Sequence, residues 1–153
     1  AYASIDWVSS FLFAGMISVS SAMDKTGAGK LLAKFCVDLL GGTPSPLFVA
    51  ALLFLVSSFL TQFMSNTATA TLLCPIGVAI AQQIGASPHA VVMSITIGIA
   101  CAYATPVGTP PNTLVLGPGG YRFMDYVKVG TPLIFVSFIV SMIVIPIVWP
   151  FFK

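Results

Sequence analysis

Ser65-Asn66-Thr67 and Thr105-Pro106-Val107-Gly108-Thr109-Pro110-Pro111-Asn112 interrupt stretches that are otherwise apolar, and neither interruption carries a charge. About a membrane helix's worth of apolar residues precedes each one, and a further apolar segment follows. Backbone that stops being helical at membrane depth leaves N–H and C=O groups without partners, and lipid cannot supply them. Such backbone is tolerated where it is packed in protein or lines a wet cavity. A pair of interrupted helices is therefore the sequence pointer to a transport site.

Composition agrees with a membrane setting. Of 153 residues, 58% are hydrophobic and 7% are charged. A soluble domain carries roughly 25% charged residues, so this chain has too few to cover a water-facing surface. The expected class is an all-α integral membrane protein. A net charge of +2 with no basic run excludes nucleic acid as a partner. Cys36, Cys74 and Cys101 have no metal spacing and no CxxC, and read as small apolar residues in helices. No HExxH, acid pair or Ser/His set falls within the apolar runs, and His89 sits beside Pro88 at a helix start. An intramembrane enzyme is therefore not expected. Gly27-Ala28-Gly29-Lys30 is not a phosphate loop, because Leu31 stands where Ser or Thr is required. The N-terminus shows no secretory signal pattern, and the missing initiator Met suggests a fragment or a processed chain.

The chain reads as one membrane domain, residues 1–153. Residues 4–23 are long and apolar enough to span, since ~20 residues cross a ~30 Å core. Residues 24–42 hold charges at Lys30, Lys34 and Asp38, one helical turn apart, with Leu31, Leu32, Phe35 and Leu39 on the other side. That pattern predicts an amphipathic interfacial helix. Residues 46–85 are two apolar arms on either side of the first interruption. Each arm is short for a span, so a re-entrant hairpin fits as well as two crossings. Residues 88–116 form a broken helix, with the first part expected to run to Ala104. Residues 131–152 are the last span. Lysine and arginine placement would weakly put residues 24–42 on the cytoplasmic side.

The interruptions carry the chemistry. Ser, Asn and Thr are favoured N-caps. A helix restarting at the first interruption presents free N–H groups and the positive end of its dipole, which bind anions without Lys or Arg. The preceding helix end, around Thr61 to Met64, presents carbonyl oxygens suited to Na⁺. At the second interruption Thr109 is a candidate N-cap before Pro110-Pro111. The carbonyls of Thr105 to Gly108 are expected to end the earlier half. Gly108 allows close approach.

These stretches also resemble a known family. Thr61-Gln-Phe-Met-Ser-Asn-Thr67 and Pro106-Val-Gly-Thr-Pro-Pro-Asn112-Thr-Leu-Val115 are similar to the C-terminal half of the divalent anion/sodium symporter family, and the likeness covers essentially the whole chain. The resemblance implies half of an inverted-repeat transporter in the plasma (inner) membrane: a re-entrant helical hairpin and a broken transmembrane helix, with the N-terminal repeat of the same transporter as partner and a homodimer as the assembly. It implies Na⁺ as co-transported ion, held by Thr61, Met64, Asn66 and Gly108. It implies a substrate carboxylate met by Ser65, Asn66, Thr67, Thr109 and Pro110. Family topology would put residues 24–42 outside, opposite to the charge count. The expected function is sodium-coupled symport of divalent anions, with dicarboxylates first. Gly117-Pro-Gly-Gly-Tyr-Arg-Phe123 is more similar to the sulfate-permease branch, which keeps sulfate or another inorganic oxyanion open. A half that does not transport without its partner repeat is the other alternative.

Overall fold

Ser45 and Pro46 start the first helix. The Ser45 hydroxyl accepts the Phe48 N–H at 3.3 Å, and Pro46 occupies the first turn, where its missing N–H removes nothing. Helix α1 then runs Pro46–Leu60. Ser65 caps α2, Asn66–Gln83, by accepting the Ala68 N–H at 3.2 Å. Helix α3 is Pro88–Ala100, α4 is the short Pro110–Leu116, and α5 is Phe123–Val148. The computed structural model describes residues 45–106 and 108–152, together with Ala22 and Thr26. Those residues form helices and turns, with no strand among them. Apart from Ala22 and Thr26, the span expected at 4–23 and the interfacial helix expected at 24–42 lie outside the described residues.

Residue contacts fix the directions of the helices. Ser94 on α3 donates to Ala50 O on α1 at 2.5 Å, and Gly98 lies against Phe54 and Ser57. Both sequence positions increase together, so α1 and α3 run parallel. Gly77 on α2 lies against Val91 and Ile95, shortly across the turn that joins α2 to α3, so this pair is antiparallel. The glycines let the backbones approach where a side chain would hold them apart. Val49, Leu53, Leu73, Ile80, Val91, Ile95 and Ile99 make the core between these three helices. The α2–α3 turn closes on Gly85, whose φ of 68° is the left-handed conformation, with the Ala86 N–H returning to Ala81 O at 2.9 Å.

Helix α5 returns antiparallel to α3. Gly130 lies against the Tyr103 carbonyl near one end, and the Ser87 N–H donates to Phe151 O at 2.7 Å at the other. Phe54 and Phe138 meet edge to face at 5.4 Å, tying α5 to α1. The last span was expected at 131–152, but the helix already begins at Phe123. The Asp125 carboxylate accepts the Arg122 N–H at 2.7 Å and so starts the helix earlier than the apolar run does. Among the described residues, α5 is the one helix long and apolar enough to cross a membrane. Phe135, Val136, Ile139 and Ile143 on it are exposed, as a lipid-facing side requires.

The break in the fourth segment starts sooner than expected. Helix α3 stops at Ala100, not Ala104, and residues 101–106, 108 and 109 are irregular before α4 begins. The reason is tertiary: the Cys101 and Ala104 backbone groups bond to Gln62, as described next.

Candidate functional site

Because α1 and α3 run parallel, their ends lie at one level. The turn after α1 and the irregular segment after α3 therefore meet. Thr105 donates its hydroxyl to Gln62 O at 2.9 Å. Gln62 Oε1 accepts the Ala104 N–H at 3.1 Å, and Gln62 Nε2 donates to Cys101 O at 3.0 Å. The two sequence interruptions form one hydrogen-bonded unit.

Two of the four residues assigned to Na⁺ are buried in it. Thr61 is fully buried and Gly108 is buried. The Gly108 Cα side faces the Thr61 carbonyl, so that a Cβ there would lie 3.0 Å from that oxygen. No hydrogen bond among the described residues reaches the Thr61 carbonyl oxygen. The Thr61 hydroxyl donates to Asn66 Oδ1 at 2.6 Å, which holds the Asn66 oxygen against Thr61. Thr61, Asn66 and Gly108 are thus brought together. Met64 is exposed at 37% and its side chain stays outside this cluster's buried core.

The residues assigned to the anion lie on the accessible side. Ser65 is exposed, and Asn66, Thr67 and Thr109 are half-buried. Asn66 and Thr67 open α2, and their N–H groups receive no hydrogen-bond acceptor among the described residues. The Ser65 hydroxyl is occupied by Ala68 N–H, and Ser65 O accepts both the Thr69 N–H and the Thr69 hydroxyl. Helix α2 therefore offers two backbone donors and a dipole end without any cation.

Two expectations for the second break need correction. Thr109 occupies the N-cap position of α4, but its side chain makes no capping bond. Its carbonyl takes the Asn112 N–H at 3.1 Å, which leaves the hydroxyl uncommitted. The Thr105 and Pro106 carbonyls do not end the preceding helix and are not open acceptors. Asn112 Nδ2 donates to Thr105 O at 3.0 Å and to Ala102 O at 2.9 Å, and Thr113 donates its hydroxyl to Pro106 O at 2.6 Å. These side chains satisfy the irregular backbone, as buried polar groups require. Pro110 opens α4 beside Thr109.

Sequence reasoning missed Gln62 and Asn112. Both are amides inside the motifs, and an amide in an apolar setting must find partners for two donors and an acceptor. That requirement was a usable signal for a staple, but the partners of Gln62 across the breaks are 39 and 42 positions away and those of Asn112 are 7 and 10 positions back, outside any regular helical pairing. Tyr126 adds a third tie, donating to Asn112 O at 2.8 Å from α5.

Comparison with known proteins finds transporters. A family model for citrate transporters, CitMHS, matches residues 1–152. The chain is 42% identical to the uncharacterized transporter YfbS of Escherichia coli (strain K12), over 99% of this chain and 25% of that protein. It is 30% identical to the sodium-dependent dicarboxylate transporter SdcS of Staphylococcus aureus (strain USA300), over 95% of this chain and 28% of that protein. It is 34% identical to a Chlamydomonas reinhardtii protein named for the sulfur deprivation response, over 92% of this chain and 23% of that protein. The chain spans about a quarter of the length of the curated relatives it matches. The family and these named transporters carry solutes and are not enzymes. With a family model matched almost end to end, the chain belongs to the citrate transporter family, within the group of divalent anion/sodium symporters that its motifs resemble.

Proposed function

We propose that this chain is the C-terminal repeat of a sodium-coupled symporter for carboxylate anions carrying two or more charges. The observation that carries the reading is the joined pair of breaks: the buried Thr61 touches both Gly108 and the half-buried Asn66, and the unpaired N–H groups of Asn66 and Thr67 are next to them in the chain. Oxygen ligands suit Na⁺, and unpaired N–H groups at a helix start suit a carboxylate. Asn66 belongs to both clusters, its side-chain oxygen to one and its N–H to the other.

In this reading Na⁺ binds first, between the Thr61 and Met64 carbonyls, Asn66 and Gly108. The ion draws the α1–α2 turn against the segment before α4. The donors of Ser65, Asn66 and Thr67 and the hydroxyl of Thr109, with Pro110 beside it, then face the substrate carboxylate. Na⁺ supplies the positive charge that no Lys or Arg provides there. Helices α1 and α2 act as a re-entrant hairpin and α3–α4 as a broken transmembrane helix in the inner membrane. The site is completed by the N-terminal repeat, and the whole transporter works as a homodimer. The names of the family model and of SdcS support a carboxylate substrate.

Sulfate is the second reading, favoured by the Gly117–Phe123 stretch and by the relative named for sulfur deprivation. Uptake of labelled succinate, citrate and sulfate by the full-length protein in proteoliposomes, with and without an inward Na⁺ gradient, tests both. Gradient-dependent carboxylate uptake supports the proposal. Uptake of sulfate alone overturns the substrate class, and uptake indifferent to Na⁺ overturns the coupling.

A further inference from the structure

Gln62 lies where α1 has already ended, and it is only 7% exposed. Its Nε2 donates to Ser58 O at 2.7 Å and to Cys101 O at 3.0 Å, while Oε1 accepts the Ala104 N–H at 3.1 Å. Its own carbonyl accepts the Thr105 hydroxyl at 2.9 Å. The amide can adopt only this orientation, because two carbonyls require hydrogens and one N–H requires an oxygen. The partners on the far side are groups that the end of α3 strands. A continuing helix would have paired the Ala104 N–H with the carbonyl four residues back. Gln62 replaces that missing turn from another part of the chain. A carbon side chain of the same length would take away the partners of the Ala104 N–H and of the Ser58 and Cys101 carbonyls.

We propose that Gln62 is the positioning residue of the transport site, locking the α1–α2 turn to residues 101–105 so that the Thr61 carbonyl and Gly108 face each other. It touches neither ion nor anion and acts through those two residues. This rests on the reading of the joined breaks as the site. Thr105 is the second arm of the same lock, since its hydroxyl donates to Gln62 O and accepts the Gly108 N–H at 3.2 Å.

The test uses the full-length transporter in proteoliposomes, with labelled citrate and succinate as probes and every cysteine other than Cys101 replaced by serine. Cys101 is 1% exposed, and its carbonyl is one of the groups Gln62 holds. N-ethylmaleimide labelling of its thiol therefore reports on the lock independently of transport. In Gln62→Met, run as a single species on size exclusion, labelling accelerates about tenfold, and the half-saturating Na⁺ concentration rises about tenfold, as expected for stranded buried groups. The kcat stays within about threefold. Gln62→Glu, which when neutral keeps one donor and one acceptor, shifts both readouts less. Thr105→Val shifts them in the same direction, and it carries the test if Gln62→Met does not fold.

Wild-type labelling of Cys101 in Gln62→Met and Thr105→Val overturns the lock. Faster labelling with unchanged Na⁺ half-saturation overturns the positioning role, as does a fall in kcat alone. Asn66→Ala, measured alongside, separates the two readings. If it loses uptake while the Gln62 variants are kinetically silent, only the role of Gln62 fails. If it too is silent, the site itself is elsewhere.

Discussion

Gly108 and the Thr61 carbonyl face each other at close quarters across the two breaks. A Cβ on Gly108 would lie 3.0 Å from that oxygen and 3.0 Å from the Ala102 Cβ. In Gly108→Ala the Thr61 carbonyl or Ala102 has to give way by a few tenths of an ångström. Overpacking of this kind costs about 1–3 kcal/mol. The half-saturating Na⁺ concentration in proteoliposome uptake should rise roughly tenfold by that measure, while substrate KM at saturating Na⁺ moves less. An unchanged Na⁺ dependence would place the ion elsewhere.

Asn66 is the residue shared between the two clusters. Its side chain accepts the Thr61 hydroxyl at 2.6 Å. Asn66→Ala removes that acceptor and the oxygen offered to Na⁺, and leaves a buried hydroxyl without its partner. Each loss is worth about 1–3 kcal/mol, so uptake should fall by about a hundredfold or more. Counterflow and Na⁺-driven uptake both report it. Wild-type uptake in this variant would refute the assignment.

Thr109 behaves differently because its hydroxyl caps nothing. Thr109→Ala should fold normally and keep its Na⁺ dependence. Its KM for the carboxylate should rise about tenfold, the worth of one hydrogen bond to a charged group. A variant with altered Na⁺ half-saturation and an unchanged KM would contradict the role.

Gly98 tests packing without touching the site. A methyl group there would collide with the Ser57 hydroxyl and the Phe54 carbonyl, both on buried positions of α1. Gly98→Ala should destabilise the protein by about 2–3 kcal/mol and lower its melting temperature in detergent. Gly117→Ala is the control, since nothing stands within 4 Å of the position a Cβ would take. Equal melting temperatures for the two variants would mean that α1 and α3 do not pack through Gly98.

Tyr126 links α5 to the break. Tyr126→Phe loses the bond to Asn112 O, worth about 1 kcal/mol, and keeps the ring contact with Tyr121 at 6.0 Å. Transport should slow by severalfold with no change in Na⁺ half-saturation. A large change in Na⁺ affinity would show that α5 controls the ion site directly.

Much of this was legible in the residues themselves. Pro46, Ser65 and Pro88 start helices by local rules of capping and missing donors, and they do so here. The polar Ser65-Asn66-Thr67 could not continue an apolar helix cheaply, and α2 starts there. The sequence by itself determined the helical class, the two breaks and the residues that offer oxygen and N–H at them, because those follow from near-neighbour backbone chemistry. Where α3 ends, which carbonyls stay open and which residue holds the breaks together were decided only by tertiary structure. The Ala104 N–H has no reason to leave its helix until Gln62, from a parallel helix, arrives to replace the partner it gives up. Partners that distant meet only when the packing of α1 on α3 brings them to one level.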